Sequence, residues 1–146
     1  YKNHFKRFLN TNGYPVAKPP WGTLSAIDLS KSQIIWQVPF GNYNELDNKK
    51  ILSTGTENFG GATATASGII FASGTIDKKI RAFNSENGVE IWSYKLPNVG
   101  SAPPTIYMIN NEQYVFLPAT GGSTLSSGYP NLVKNSDHFI AFKLKK

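Results

Sequence analysis

Side chains able to move protons, bind metals or attack an electrophile are few in this chain and far apart. Histidine occurs twice, as His4 and His138 at opposite ends, and neither has ligand-type neighbours at a spacing a metal would use. Cysteine is absent, which removes disulfide and thiolate chemistry and leaves the redox compartment open. Asp28, Asp47, Asp77 and Asp137 each fall in or beside a run of turn-forming residues, so each is expected to take a solvated or turn role. His138 alternates with Phe139 on a strand-like segment and is expected at the surface. Any chemistry must therefore come from residues that a larger framework brings together.

That framework shows as a pattern that occurs twice. Ala26-Ile27-Asp28 leads through Lys31-Ser32 to Trp36, and Ala82-Phe83-Asn84 leads through Asn87-Gly88 to Trp92; alanine and tryptophan both recur after 56 positions. Ala141-Phe142-Lys143 follows Ala82 after 59 more. A strand, a polar turn and a strand in each copy, at this period, point to stacked β-sheet units. Thirteen glycines, nine prolines and 13% aromatic residues suit a turn-rich all-β chain. Within the repeat, alanine leaves space beside a neighbouring sheet and tryptophan supplies a flat surface to fill it, so Trp36 and Trp92 are expected to pack between blades rather than stack on a ligand.

Two-residue alternation and turn signals divide the chain. Residues 1–21 are an extended lead-in, 22–40 half a blade with strands near 23–28 and 33–38, and 41–61 a polar connecting loop. Residues 62–97 carry a complete blade, with strands near 63–65, 69–73, 79–84 and 89–94. Residues 98–146 carry an incomplete last blade, with strands near 104–108, 113–117 and 138–144 and a hairpin signal at Asn110-Asn111. The expected fold is an all-β partial β-propeller of four-stranded antiparallel blades. The last blade's missing strand is expected from a part of a longer protein upstream of Tyr1, because ring closure removes exposed sheet edges.

The formal net charge of +6 is dispersed over Lys49-Lys50, Lys78-Lys79-Arg81 and Lys143-Lys145-Lys146, without basic residues interleaved with stacking aromatics. It is read as solvated surface and not as a nucleic-acid footprint. The start has no apolar stretch typical of a signal peptide, no window is long and apolar enough to span a bilayer, and the chain does not begin with methionine, so it is expected to be a fragment.

With these segments in place, the chain resembles the quinoprotein dehydrogenases, which carry pyrroloquinoline quinone (PQQ) inside an eight-bladed propeller. The two Ala-to-Trp stretches are similar to that family's tryptophan-docking motifs. Gly13-Tyr14-Pro15 with Pro19-Pro20-Trp21-Gly22-Thr23-Leu24-Ser25-Ala26-Ile27-Asp28 is similar to the lead into a late blade of the glucose and quinate-type enzymes. Thr54-Gly55-Thr56-Glu57-Asn58-Phe59-Gly60-Gly61 is similar to the loop before the next blade, and Asn111 to Val115 with Asp137 to Phe142 to the C-terminal end. The resemblance covers nearly the whole chain and is closest to the membrane-bound glucose dehydrogenase type.

The resemblance implies that Asn58, Phe59, Gly60 and Gly61 lie at the cofactor. Glycines permit close backbone approach to a planar ligand, an amide can donate to a quinone oxygen or carboxylate, and an aromatic ring can pack beside it. The alternative is that Gly60-Gly61 merely opens the next strand at a crowded axis. Catalysis in the family uses an aspartate base and a calcium ion. No segment here is similar to those motifs, so the fragment alone is expected to supply no catalytic or metal residue and to be inactive. Gly121-Gly122 is followed by Ser123 where membrane-bound glucose dehydrogenases tend to have histidine. The expected parent is an enzyme of the periplasm or of the periplasmic face of the inner membrane that oxidises a sugar or other alcohol, glucose foremost, and passes electrons to a respiratory quinone. Expected partners are that substrate, the rest of the propeller, a membrane quinone and further copies of the fragment, but no nucleic acid. The competing reading is a non-enzymatic propeller scaffold or protein-binding module.

Overall fold

The computed structural model describes residues 7–43, 46, 53–122, 128–129 and 133–144. Among these, nine strands form three antiparallel sheets: β1 (Thr23–Asp28) and β2 (Gln33–Pro39) in one; β3 (Ala62–Ala64), β4 (Ile69–Ala72), β5 (Lys79–Asn84) and β6 (Glu90–Lys95) in the second; β7 (Thr105–Ile109), β8 (Glu112–Ala119) and β9 (His138–Lys143) in the third. Strand follows strand in sequence order within each sheet, which is the up-and-down pattern of propeller blades. The Asn110-Asn111 pair takes positive φ at both residues, 49° and 60°, as a two-residue hairpin between β7 and β8 requires. Strand positions agree with the sequence expectation to within two residues at nearly every end, because the two-residue period and the Gly/Asn turns mark them locally.

The repeat has a physical basis in the pairing. Ala26 lies opposite Trp36 and Ala82 opposite Trp92, and in both sheets the register shifts at the next residue, between Ala26 and Ile27 and between Ala82 and Phe83. A small residue facing the indole, followed by a bulge that raises the local twist, turns the ring toward the neighbouring sheet. Trp36 Nε1 donates to the Ser85 carbonyl at 2.9 Å, in the turn of the second sheet. Its ring lies against Gly88, where an added Cβ would sit 2.6 Å from the indole. With φ at +71°, Gly88 serves both the turn and the docking. Trp92 packs edge-on against Phe142 of β9, with ring centroids 5.4 Å apart. Both tryptophans thus bridge sheets as packing residues.

Apolar side chains close the sheet interfaces. Phe40, Ala72 and Phe83, with Leu24, Val38 and Ile70, fill the space between the first and second sheets. Ile80, Leu96, Val115, Leu117 and Ala119, with Phe71, Ile106, Ile140 and Phe142, fill that between the second and third. A further cluster is built by connecting segments: Tyr43, Leu46, Ile76, Val99, Tyr129 and Val133, against Tyr14 and Trp21. Two expectations change here. The lead-in is not simply extended, since Asn10 to Gly13 make a turn, Leu9 bridges Pro15, and Tyr14 packs inward. The loop after β2 is not merely polar, because Phe40, Tyr43 and Leu46 are buried.

Asp77 departs furthest from its expected solvated role. It does lie in a turn, but it is 3% exposed, and Arg81, grouped above with surface charge, is 5% exposed. The Asp77 carboxylate pairs with the Arg81 guanidinium and accepts from Thr75 Oγ1 at 2.6 Å and from the Asn42 amide at 3.0 Å. Arg81 Nε also donates to Glu90 of β6 at 3.0 Å, and its guanidinium faces the Phe40 ring. A buried charge persists only when paired and hydrogen-bonded, and the sequence around Asp77 gave no sign that its partner stood four residues on. Asp77→Ala leaves Arg81 without its buried counterion and is expected to cost about 3–5 kcal/mol of stability. Lys143→Ala, which breaks the partly exposed pair with Glu112, should cost less than about 1 kcal/mol. Urea unfolding midpoints of the two variants check both.

Candidate functional site

The segment Asn58 to Gly61 runs along the end of β4. Phe59 N–H donates to the Gly74 carbonyl at 3.2 Å, Ser73 N–H to the Gly61 carbonyl at 3.4 Å, and Asn58 forms an isolated bridge with Thr75. The Asn58 side chain turns back on its own loop: Oδ1 accepts from Gly60 N–H at 3.0 Å, and Nδ2 donates to the Ser73 carbonyl at 3.2 Å. One amide hydrogen is left over. An added Cβ at Gly60 would sit 2.3 Å from the Ser73 carbonyl oxygen, and one at Gly61 would sit 2.8 Å from Pro103. The closest approach those glycines allow is thus to protein, and it lays the segment flat. Asn58 and the Phe59 ring, the latter 37% exposed, remain open. The four consecutive residues form one hydrogen-bonded rim beside residues 73–75.

Beneath that rim, short hydroxyl side chains form a buried polar layer. Thr54, Thr56, Ser73 and Thr75 are fully buried. Thr54 Oγ1 donates to Asn42 Oδ1 at 2.9 Å, Thr56 Oγ1 to the Glu57 carbonyl at 3.1 Å, and Ser73 Oγ to the Lys79 carbonyl at 3.3 Å. Each hydroxyl has a partner, so the layer stiffens the loops it joins instead of presenting free donors.

At the start of the rim stands a cluster the sequence did not reveal. Arg7 grips Glu57 with two nitrogens, Nη2 at 2.8 Å and Nε at 3.1 Å, and its guanidinium lies 4.4 Å from the centre of the Tyr129 ring. Tyr129 lies close enough to the Glu57 carboxylate to influence its ionisation. Although burial pushes the other way, the hydrogen bonds and charge of Arg7, with the Tyr129 hydroxyl nearby, hold the Glu57 carboxyl below the usual range. Burial, reinforced by the neighbouring Tyr43 and Glu57, pushes the Tyr129 hydroxyl well above the tyrosine range, and burial raises Tyr43 as well. The Tyr43 hydroxyl has no partner at ordinary hydrogen-bond geometry among the described residues, although Tyr129 lies close enough to influence it. No spacing rule links positions 7, 57 and 129. The only local signal was the place of Glu57 beside Asn58.

The other candidates stay apart from this region's chemistry. Asp28 caps its own turn by accepting from Ser30 N–H at 2.9 Å and Lys31 N–H at 3.2 Å. Asp137 and His138 are exposed, and His4, Asp47 and Ser123 lie outside the described residues. Among the described residues no three His, Cys, Asp or Glu side chains converge, and no helix is long and apolar enough to cross a membrane.

The ionisation of this cluster has consequences at both ends of the pH scale. The Glu57 contribution to stability is present above the ordinary glutamate range near 4.3 and is lost as pH falls through its lower folded value. Glu57→Gln should therefore flatten the acid limb of a stability profile. The tyrosine contribution is fully present below about pH 10 and fades above it, as the unfolded chain ionises first. Tyrosinate absorbance during alkaline titration should accordingly show Tyr43 and Tyr129 ionising together with unfolding.

The sequence profile of the PQQ glucose/ethanol/alcohol dehydrogenase β-propeller domain matches residues 1–115. The quinate/shikimate dehydrogenase (quinone) of Acinetobacter baylyi is 37% identical over 153 aligned residues, which cover 100% of this chain and 18% of that protein. The quinoprotein glucose dehydrogenase of Escherichia coli K12 is 30% identical, with 94% and 17% covered. Among solved structures, the quinohemoprotein alcohol dehydrogenase from Pseudomonas putida HK5 superposes with a TM-score of 0.62 at 24% identity, over 84% of this chain and 16% of that one, which supports the same fold. The chain thus spans less than a fifth of the length of these relatives. It belongs to the PQQ-dependent glucose/ethanol/alcohol dehydrogenase β-propeller family.

Proposed function

We propose that this chain is one side of the cofactor-bearing propeller of a dehydrogenase that oxidises a sugar or other alcohol, glucose-type foremost, with PQQ. The observation that carries this reading is the rim: Asn58, Phe59, Gly60 and Gly61 are pinned flat against residues 73–75, yet Asn58 and Phe59 stay open. An exposed aromatic ring and a spare amide hydrogen fit the edge of a flat aromatic ligand that carries carboxylates and carbonyl oxygens. Gly60 and Gly61 contribute by letting the segment lie low. When bound, PQQ takes up the two electrons removed from the alcohol carbon. The chain's own residues orient the quinone's edge and keep water from that side. Substrate class follows the names of the relatives, which act on quinate, shikimate, glucose and glycerol. A calcium ion, a catalytic base, a respiratory quinone as electron acceptor and a periplasmic setting belong to the same proposal, with base and metal ligands supplied from outside this chain.

In the full-length protein, loading PQQ with calcium is expected to slow amide exchange at residues 58–61, and Phe59→Ala to weaken PQQ about tenfold, the loss of one aromatic packing contact. Unchanged exchange at 58–61 on loading would overturn the assignment of the rim. The 146-residue chain alone holds one side of the site, and calorimetry should find weak or no PQQ binding.

The edge of β9, unpaired among the described residues, and the exposed apolar residues Ile34, Ile35, Ile91 and Phe139 are expected to make the isolated chain self-associate. Sedimentation at rising concentration checks this, and a strictly monomeric species would count against it.

A further inference from the structure

Three segments distant in sequence meet at Glu57: the lead-in at Arg7, the loop before β3, and the stretch before β9 at Gly128-Tyr129. Arg7 is received by three features that suit a guanidinium: a carboxylate held by two nitrogens, an aromatic face, and a glycine. At Gly128 an added Cβ would sit 2.0 Å from Arg7 Nη1, so a side chain there would displace the guanidinium. The pair is partly buried, with the Arg7 and Glu57 side chains 14% and 32% exposed, and its two-nitrogen grip adds geometric specificity as well as energy. It therefore gives the segment direction. Thr56 is fully buried on one side of Glu57 and Gly60 is seated on Ser73 on the other, so the Glu57 side chain tethers the chain where it rises onto the rim.

We propose that Arg7, Glu57 and Tyr129 form a positioning clasp that fixes the height and tilt of Asn58 to Gly61, and through them the seating of the quinone, without touching the cofactor. This rests on the reading of Asn58 to Gly61 as the cofactor rim. Arg7 and Glu57 are positioning residues; lysine cannot replace Arg7, because a point charge lacks the fork that grips the carboxylate and the plane that lies on Tyr129.

The test uses the full-length protein with Glu57→Gln, Arg7→Lys and Phe59→Ala. Arg7→Lys keeps charge and length and serves where Glu57→Gln does not fold. In the cofactor-free protein, Glu57→Gln and Arg7→Lys should speed amide exchange at Phe59 and Gly60, whose N–H groups are bonded to Gly74 and to Asn58. On reconstitution the same variants should bind PQQ on the order of tenfold more weakly, with a shifted absorption band of the bound quinone and a kcat that falls more than KM changes. Variants that melt earlier but keep exchange, affinity and spectrum at parental values would overturn the clasp and leave a plain surface pair. If Phe59→Ala moves spectrum and affinity while Glu57→Gln moves neither, the clasp fails and the rim stands. If Phe59→Ala moves neither while Glu57→Gln still speeds exchange at residues 58–61, the rim assignment fails, and the clasp's role toward the quinone fails with it.

Discussion

The ion pair of Asp77 and Arg81 is the constraint on which the surrounding structure hangs. Two charges taken out of water are tolerable only when their remaining hydrogen-bonding capacity is met, so the pair dictates what stands around it. It demands the Thr75 hydroxyl, the Asn42 amide and Glu90 in fixed places. Those groups come from the turn before β5, the loop after β2 and the outermost strand of the same sheet. A buried salt bridge of this kind adds little net stability over a well-packed apolar pair. Its effect is to allow one arrangement of the loops on the rim side and penalise the others.

The rim inherits its rigidity from this. Thr75 links the pair to the isolated bridge with Asn58, and Ser73, in the same short stretch, receives both the Asn58 amide and the bare face of Gly60. A segment built so needs few polar contacts of its own, because the work of holding position lies in the layer beneath. The two ion pairs near it divide the task. Asp77 with Arg81 fixes the floor at the cost of desolvation, whereas Arg7 with Glu57, nearer water, joins connecting segments that no sheet holds together.

The strands were readable because their determinants are local. Alternation, Asn110-Asn111, and the alanine facing each tryptophan all act within a few residues, and the three sheets follow from them. The rim's four residues were reached through family resemblance, and the repeat alone did not point to them. What stayed hidden was non-local. Tyr43, Leu46, Tyr129 and Val133 occupy stretches whose composition is polar, and their burial depends on one another across most of the chain. Arg81 looked like one more basic residue in a basic run because nothing in its own strand marks the inward turn of its side chain. Arg7 lies in a segment without periodicity, and its partner is 50 positions away.

The docking of Trp36 on Ser85 and Gly88 also gives the stack a sense of direction. The first sheet hands its indole forward to the turn of the second, and Trp92 of the second reaches forward to Phe142 of the third, so each contact joins unlike surfaces and is head-to-tail. A series joined this way has unlike faces, and the turn Leu29 to Ser32 of the first sheet, the counterpart of the turn that receives Trp36, lies at the trailing one. Two such faces fit each other and not themselves, so blades of this pattern add in one rotational order, and the series ends its run of unmet contacts only by coming round to meet its own beginning.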